Sequence, residues 1–176
     1  MQTVKEAIGK LFRGYSKAAI TSIEKLPQSG SDRVYYRIYT DAGNYIATCN
    51  QNVKENNTFI SFSRHFKACG CPVPLIYAVN EEQTIYIQED FGDVSLLHEL
   101  EEKGYTDYVY TLFQKSLKAL AHLQVTGDKD LDYEQCITSM EFGKQAIIIC
   151  DFTSQRFEIV LLAQNSCSQS KNDMDL

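Results

Sequence analysis

The tripeptide Asp41-Ala42-Gly43 separates two runs, "RVYYRIYT" at 33–40 and "NYIATCN" at 44–50, both rich in aromatic and β-branched residues. Such side chains suit a pleated surface. A linker this short can only turn the chain back antiparallel beside itself, because a parallel neighbour needs a crossover of a dozen or more residues. A third β-type run, "AAITSIEKL" at 18–26, reaches the hairpin through the glycine turn Ser29-Gly30-Ser31-Asp32. Three antiparallel strands in a meander are therefore expected at the start of the chain.

Helical periodicity flanks this sheet. Val4, Ile8, Leu11 and Phe12 share one face of a leading helix over 2–13. Residues 53–70 read as a helix of three to four turns, with Gly70 as its stop ahead of Pro72 and Pro74. Phe59, Phe62 and Phe66 form its apolar stripe, and Glu55, four residues before Phe59, lies on the same face. A carboxylate aimed at a core needs a cation or several donors. The alternative is a solvated Glu55 at the helix edge that complements the dipole. "TIYIQ" at 84–88 reads as a further strand. The clearest helix covers 105–124, where Val109, Leu112, Phe113, Leu117, Leu120 and Leu123 form a stripe expected to be core, with His122 beside it as a packed or partly exposed histidine. Beyond Gly127 the pattern weakens: 144–152 is a short apolar run, 156–164 reads as another helix, and 165–176 is polar and expected to fray.

The 176 residues are 44% hydrophobic, enough for one ordinary domain or two small lobes with a real core. No apolar run approaches the ~18 residues of a membrane span, and the amphipathic start does not read as a signal peptide, so a cytoplasmic location is expected. A net charge of −6, without a long basic block, argues against a nucleic-acid partner. The six cysteines at 49, 69, 71, 136, 150 and 167 are irregularly spaced and read as free thiols. "CGC" at 69–71 has no partner pair downstream, and no metal site is assigned to it.

Four phrases in combination, "GSDRVYYRI" at 30–38, "KENNTFISFSRHFKACGCPVPLIYAVN" at 54–80, "IYIQEDFGDVSLLHEL" at 85–100 and "LAHLQ" at 120–124, resemble the amino-terminal lobe and hinge of protein-kinase-like folds. More closely, the chain resembles the aminoglycoside phosphotransferase family and its sugar- and amino-sugar-phosphorylating relatives, over roughly the first 125 residues. The resemblance implies an α+β fold. A kinase-like lobe occupies 1–88, a hinge 89–93, and a partial, mainly helical second lobe with a frayed polar tail 94–176. It implies ATP and Mg2+ as cofactors, with Gly30, Ser31 and Asp32 over the phosphates, Arg33 adding positive charge there, and backbone groups near Glu89 and Phe91 meeting the adenine edge.

Two departures from the family bear on activity. If "IATC" corresponds to the V-A-I-K pattern, Cys49 holds the lysine position, and Arg33 and Arg37 are the remaining cations for Glu55. Whether Arg37 turns toward Glu55 depends on which face of its strand meets the helix. The family's H-x-D-x-x-x-x-N loop is absent: His65, His98 and His122 do not begin it, and Asp130, Asp132 and Asp151 are isolated. "DFG" at 90–92 follows a strand with no catalytic loop upstream, so it reads as hinge and Asp90 is not assigned to a metal. No catalytic and no metal-binding residue is assigned. A truncated phosphotransferase is expected, from a family that phosphorylates small-molecule hydroxyls, inactive alone and binding nucleotide weakly. The alternative is a non-catalytic nucleotide-binding or protein-docking module.

Overall fold

A computed structural model describes residues 3–27, 32–127 and 129–132, together with the backbone of two strands at 146–151 and 158–162. Helix α1 (Val4–Tyr15) opens with a capping box: Glu6 N–H donates to Thr3 Oγ1 at 3.3 Å and Thr3 N–H to Glu6 Oε2 at 2.8 Å. Then come β1 (Ile20–Lys25), β2 (Val34–Thr40), β3 (Gly43–Cys49), α2 (Val53–Ala68), β4 (Ile76–Val79), β5 (Ile85–Glu89), α3 (Leu96–Lys103) and α4 (Asp107–Thr126). Strands β1 to β5 form one antiparallel sheet in the order β1-β2-β3-β5-β4. The fold is α+β. The expected three-strand meander is its first half, closed at Thr40 and Gly43, where Gly43 takes a φ of 134° that a side chain would disfavour.

Strand pairing sorts side chains onto two faces, because residues directly opposite each other in a sheet point the same way. Ile38, Ala47 and Ile87 lie on one face and, with Ile8 and Phe12 of α1, form a core cluster in which every member is fully buried. At about 1.5–3 kcal/mol for a fully buried aliphatic or aromatic side chain, Ile8 and Phe12 anchor α1 firmly. The other face carries Tyr35, Arg37, Ile46, Thr48, Tyr86 and Gln88. Helix α2 packs there through Phe59 and Ile60, with the Phe59 ring stacked 5.4 Å from that of Tyr86.

Helix α2 ends as its Gly70 predicts. Cys71 N–H donates to Phe66 O at 2.9 Å and Gly70 N–H to Lys67 O at 3.0 Å, a Schellman closure with Gly70 at φ 76°. Beyond it Phe62, Phe66, Cys71 and Val73 pack with Leu123 of α4. A Cβ at Gly127 would lie 2.5 Å from Leu123 O and 2.7 Å from the Phe66 ring, so the end of α4 approaches α2 more closely than any side chain there permits.

Several expectations are corrected. Residues Glu158–Leu162, read as helix, form strand β7 paired antiparallel with β6 (Ala146–Asp151). Four consecutive apolar residues, Ile159 to Leu162, do not distinguish the two periodicities. The stripe on α4 is not all core: Val109 and Leu123 are buried, whereas Phe113 is 39% and Leu117 64% exposed. Strand β4 and helix α3 were not anticipated. The polar tail at 165–176 lies outside the described residues.

Candidate functional site

The candidate site lies along β2, which meets the start of α2 at one end through Arg33 and the segment after β5 at the other through Arg37. Gly30 and Ser31, expected over a phosphate, lie outside the described residues, and Asp32 beside them is exposed. Arg33, entering β2, is buried, and its Nη2 meets Glu55 Oε1 at 2.7 Å. Its guanidinium also stacks 5.1 Å above the Phe59 ring centroid. Glu55, 40% exposed, is held from two further sides: Asn50 Nδ2 donates to Oε2 at 3.1 Å, and the Glu55 N–H donates to the N-cap Asn52 at 3.2 Å. Of the two possibilities for Glu55, the structure realises the paired carboxylate, and Arg33 is its cation.

Cys49 does not occupy a lysine-like position on this face. It lies opposite Val34 and Ile85, and packs against the cluster beneath α1. Burial pushes its thiol up to about 11. The residue of β3 near Cys49 that faces the α2 side is Thr48, fully buried, with an Oγ1 that lacks a hydrogen-bond partner among the described residues. The parity of the strand overturns the correspondence drawn from sequence, since one position along a strand exchanges the faces.

Arg37 shares the α2-side face with Tyr35 and Tyr39, yet it turns to the segment after β5 instead of Glu55. Its Nε lies 2.8 Å from Asp90 Oδ2, and its Nη1 lies 2.6 Å and 2.7 Å from the two Asp93 oxygens. Burial works against the charged guanidinium, but Asp93, Asp90 and Tyr39 together outweigh it and raise the Arg37 pKa. Asp90 therefore serves as a counter-ion that ties β2 to this segment. Glu89 is committed as well: its N–H donates to Leu75 O at 2.9 Å, and its carboxylate accepts from Leu75 N–H at 3.1 Å and Lys67 Nζ at 3.4 Å. Phe91 is 39% exposed beside it.

Glu89, opposite Tyr45 in β3, belongs to the face beneath α1, and the structure thus places Asp32, Arg33 and Glu55 at one end of the α2-side face and Arg37, tied to the 90–93 segment that carries Phe91, at the other. Two guanidinium groups there accompany the carboxylates of Glu55, Asp90 and Asp93. A phosphate entering this acidic surplus needs an accompanying cation. Among the described residues no group of three or more His, Cys, Asp or Glu side chains is placed to hold a metal ion. Sequence reasoning missed Asn50, Asp93 and His65 as partners; Asn50-x-Asn52 before an apolar helix was a legible capping signal, whereas the others depend on tertiary contact.

A groove of about 420 Å³ lies between the 72–73 segment, the start of α3 and α4, with Val73, Val94, Leu96, Leu112, Leu120 and Leu123 among its walls. Among the described residues no helix is long and apolar enough to cross a membrane. No protein-family model matches the chain, and no curated protein matches it.

Proposed function

We propose that the chain is a kinase-like lobe and hinge related to the aminoglycoside phosphotransferases, which binds ATP weakly and does not by itself transfer phosphate. One observation carries this reading: the Arg33–Glu55 pair joins the first turn of α2 to the foot of the β1–β2 connection, at 2.7 Å, within a β1-β2-β3-α2-β4-β5 order that leads into an acidic linker. A carboxylate is retained on the inner side of α2 with a cation at the point where a nucleotide phosphate would approach. Arg33 and the neighbouring backbone would hold phosphate, and the stretch from Glu89 to Phe91 would meet the base through its main chain, as the resemblance implies. The Glu89 N–H is already taken by Leu75, so the base would rely on the other groups of this stretch. ATP supplies the phosphoryl group in the intact family, and magnesium neutralises its charge.

Phosphoryl transfer rests on positioning and charge stabilisation by a loop aspartate and metal ligands. The sequence contains no H-x-D-x-x-x-x-N stretch to supply them. The test is a radiolabelled γ-phosphate transfer assay across sugars, amino sugars and aminoglycosides. No turnover above background is expected, and turnover abolished by Arg33→Ala would refute the reading.

A second reading, a protein-docking regulatory module, is favoured by one observation: α4 exposes Tyr110, Phe113, Leu117 and Val125, at 39–70% of their surface. An apolar strip of this kind on a helix is an interaction surface more often than a solvated one.

A further inference from the structure

The groove between the 72–73 segment, the start of α3 and α4 plays no part in the nucleotide reading, and none of the residues that line it ties β2 to α2 or to the 90–93 segment. Its floor is preformed. Val73 and Leu123, 1% and 2% exposed, belong to the cluster that also holds Phe62, Phe66 and Cys71, so the packing of α2 against α4 fixes the surface a ligand meets. Leu96, Leu112 and Leu120 are half-buried walls, and Val94, 62% exposed, stands at the rim. Apolar walls around about 420 Å³ suit a compact apolar body, at the lower end of the roughly 300–1,000 Å³ of small-molecule sites. Two turns of α-helix occupy roughly 800 Å³, about twice as much, so a helical partner is too large to enter.

Charge decides which small molecule fits. Glu99 is the one carboxylate among the lining residues, and it is neutralised by Lys103, whose Nζ also lies 4.5 Å from the centroid of the Tyr108 ring. Lys115 is the one lining cation. It is exposed, and among the described residues no carboxylate pairs with it. The sequence of α4 explains why: from Tyr108 to Thr126 it contains no Asp or Glu, and Lys118 follows Lys115 by three positions. In a chain of net charge −6 this helix is a local excess of positive charge. A lysine lays its methylene stem along apolar surface and keeps its ammonium in water, which suits a ligand with a buried apolar body and an anionic end at the mouth.

We propose that this groove binds a fatty carboxylate, with the hydrocarbon chain against Val73, Leu112, Leu120 and Leu123 and the carboxylate paired with Lys115. Burial of the chain supplies most of the affinity, because each methylene removed from water is favourable and the walls present little that competes for hydrogen bonds. The ion pair at the mouth, screened by water, contributes less and sets the sign of charge that is accepted. This inference does not depend on nucleotide binding.

The test is an NMR titration of the full chain with dodecanoate, kept below its micelle-forming concentration and followed at the methyl groups of the residues that line the groove. The methyls of Val73, Val94, Leu96, Leu112, Leu120 and Leu123 should shift together and saturate, with a dissociation constant of about 10–100 μM, while those of Leu117 and Val125 on the exposed strip of α4 stay in place. Dodecyltrimethylammonium, with the same chain length and the opposite charge, should bind about tenfold more weakly, and Lys115→Glu should reverse that order. Ala119→Trp fills the groove and should abolish the shifts. Equal affinity for the two amphiphiles, an unchanged order in Lys115→Glu, or shifts at Leu117 and Val125 in place of the groove would each overturn the proposal. So would groove shifts that appear on raising protein concentration alone, since a second copy would then be the occupant. Lys115 is exposed, so the charge comparison decides the matter even if Ala119→Trp folds poorly.

Discussion

Arg37 on β2 and Asp90 beyond β5, 53 positions apart in sequence, meet with Nε 2.8 Å from Oδ2, and their side chains are only 5% and 4% exposed. This pair fixes how the segment after β5 leaves the sheet. Asp93 accepts from the same guanidinium but is 77% exposed, so water already screens it.

Removing one member of the buried pair should be costly because the other is left as an unpaired buried charge. Arg37→Met is expected to lower unfolding free energy by about 3–5 kcal/mol, while Asp93→Ala should cost no more than about 1 kcal/mol. Replacing both buried charges, Arg37→Met with Asp90→Leu, should recover much of the loss. Urea unfolding of the three variants checks the ranking.

The Arg33–Glu55 pair should behave differently because Glu55 is 40% exposed. Glu55→Gln keeps an oxygen for the Asn50 amide and loses only a screened ion pair, so a loss of about 0.5–1 kcal/mol is expected. Thermal unfolding measures it. A much larger loss would mean that the pair is sealed from solvent.

Cys49 gives the stability a pH dependence of known sign. Its thiol rises from 9.0 to about 11 on folding, by burial. A pKa raised in the folded state contributes stability that is complete below the unfolded value and is lost as pH climbs toward the folded one. The wild type should therefore lose stability between about pH 9 and pH 11 more steeply than Cys49→Val. Tyr36 titrates upward in the same direction, partly through the Cys49 charge, so the difference between the two proteins isolates the thiol and its coupling. Urea midpoints across that range give the comparison.

Local signals carried much of this fold into the sequence. Gly43, Gly70 and the apolar periods of α1 and α2 each report a backbone or packing need that acts within a few residues. Strand β4 was illegible because four residues between prolines and an acidic turn show no period, and α3, although capped by Ser95 and stopped at Gly104, spans only eight residues. The site was harder to read. Naming Cys49 as the lysine equivalent required knowing which face of β3 meets α2, and that is decided by α1 packing on Ala47 and Ile87 from the other side. The choice of Arg33 over Arg37 as the partner of Glu55 likewise depends on Asp90 and Asp93, which only the sheet order brings to β2.

The most direct test of the nucleotide reading is an amide-resolved NMR titration of the full chain with ATP and magnesium. The account predicts saturable shifts at Asp32, Arg33, Glu55 and the 89–92 stretch, at an affinity of roughly 0.1–1 mM, since one lobe and a hinge enclose only part of the ligand. Arg33→Ala should weaken them. Shifts confined to the groove residues Val94, Leu96, Leu112 and Leu120, or none at millimolar ATP, would contradict it.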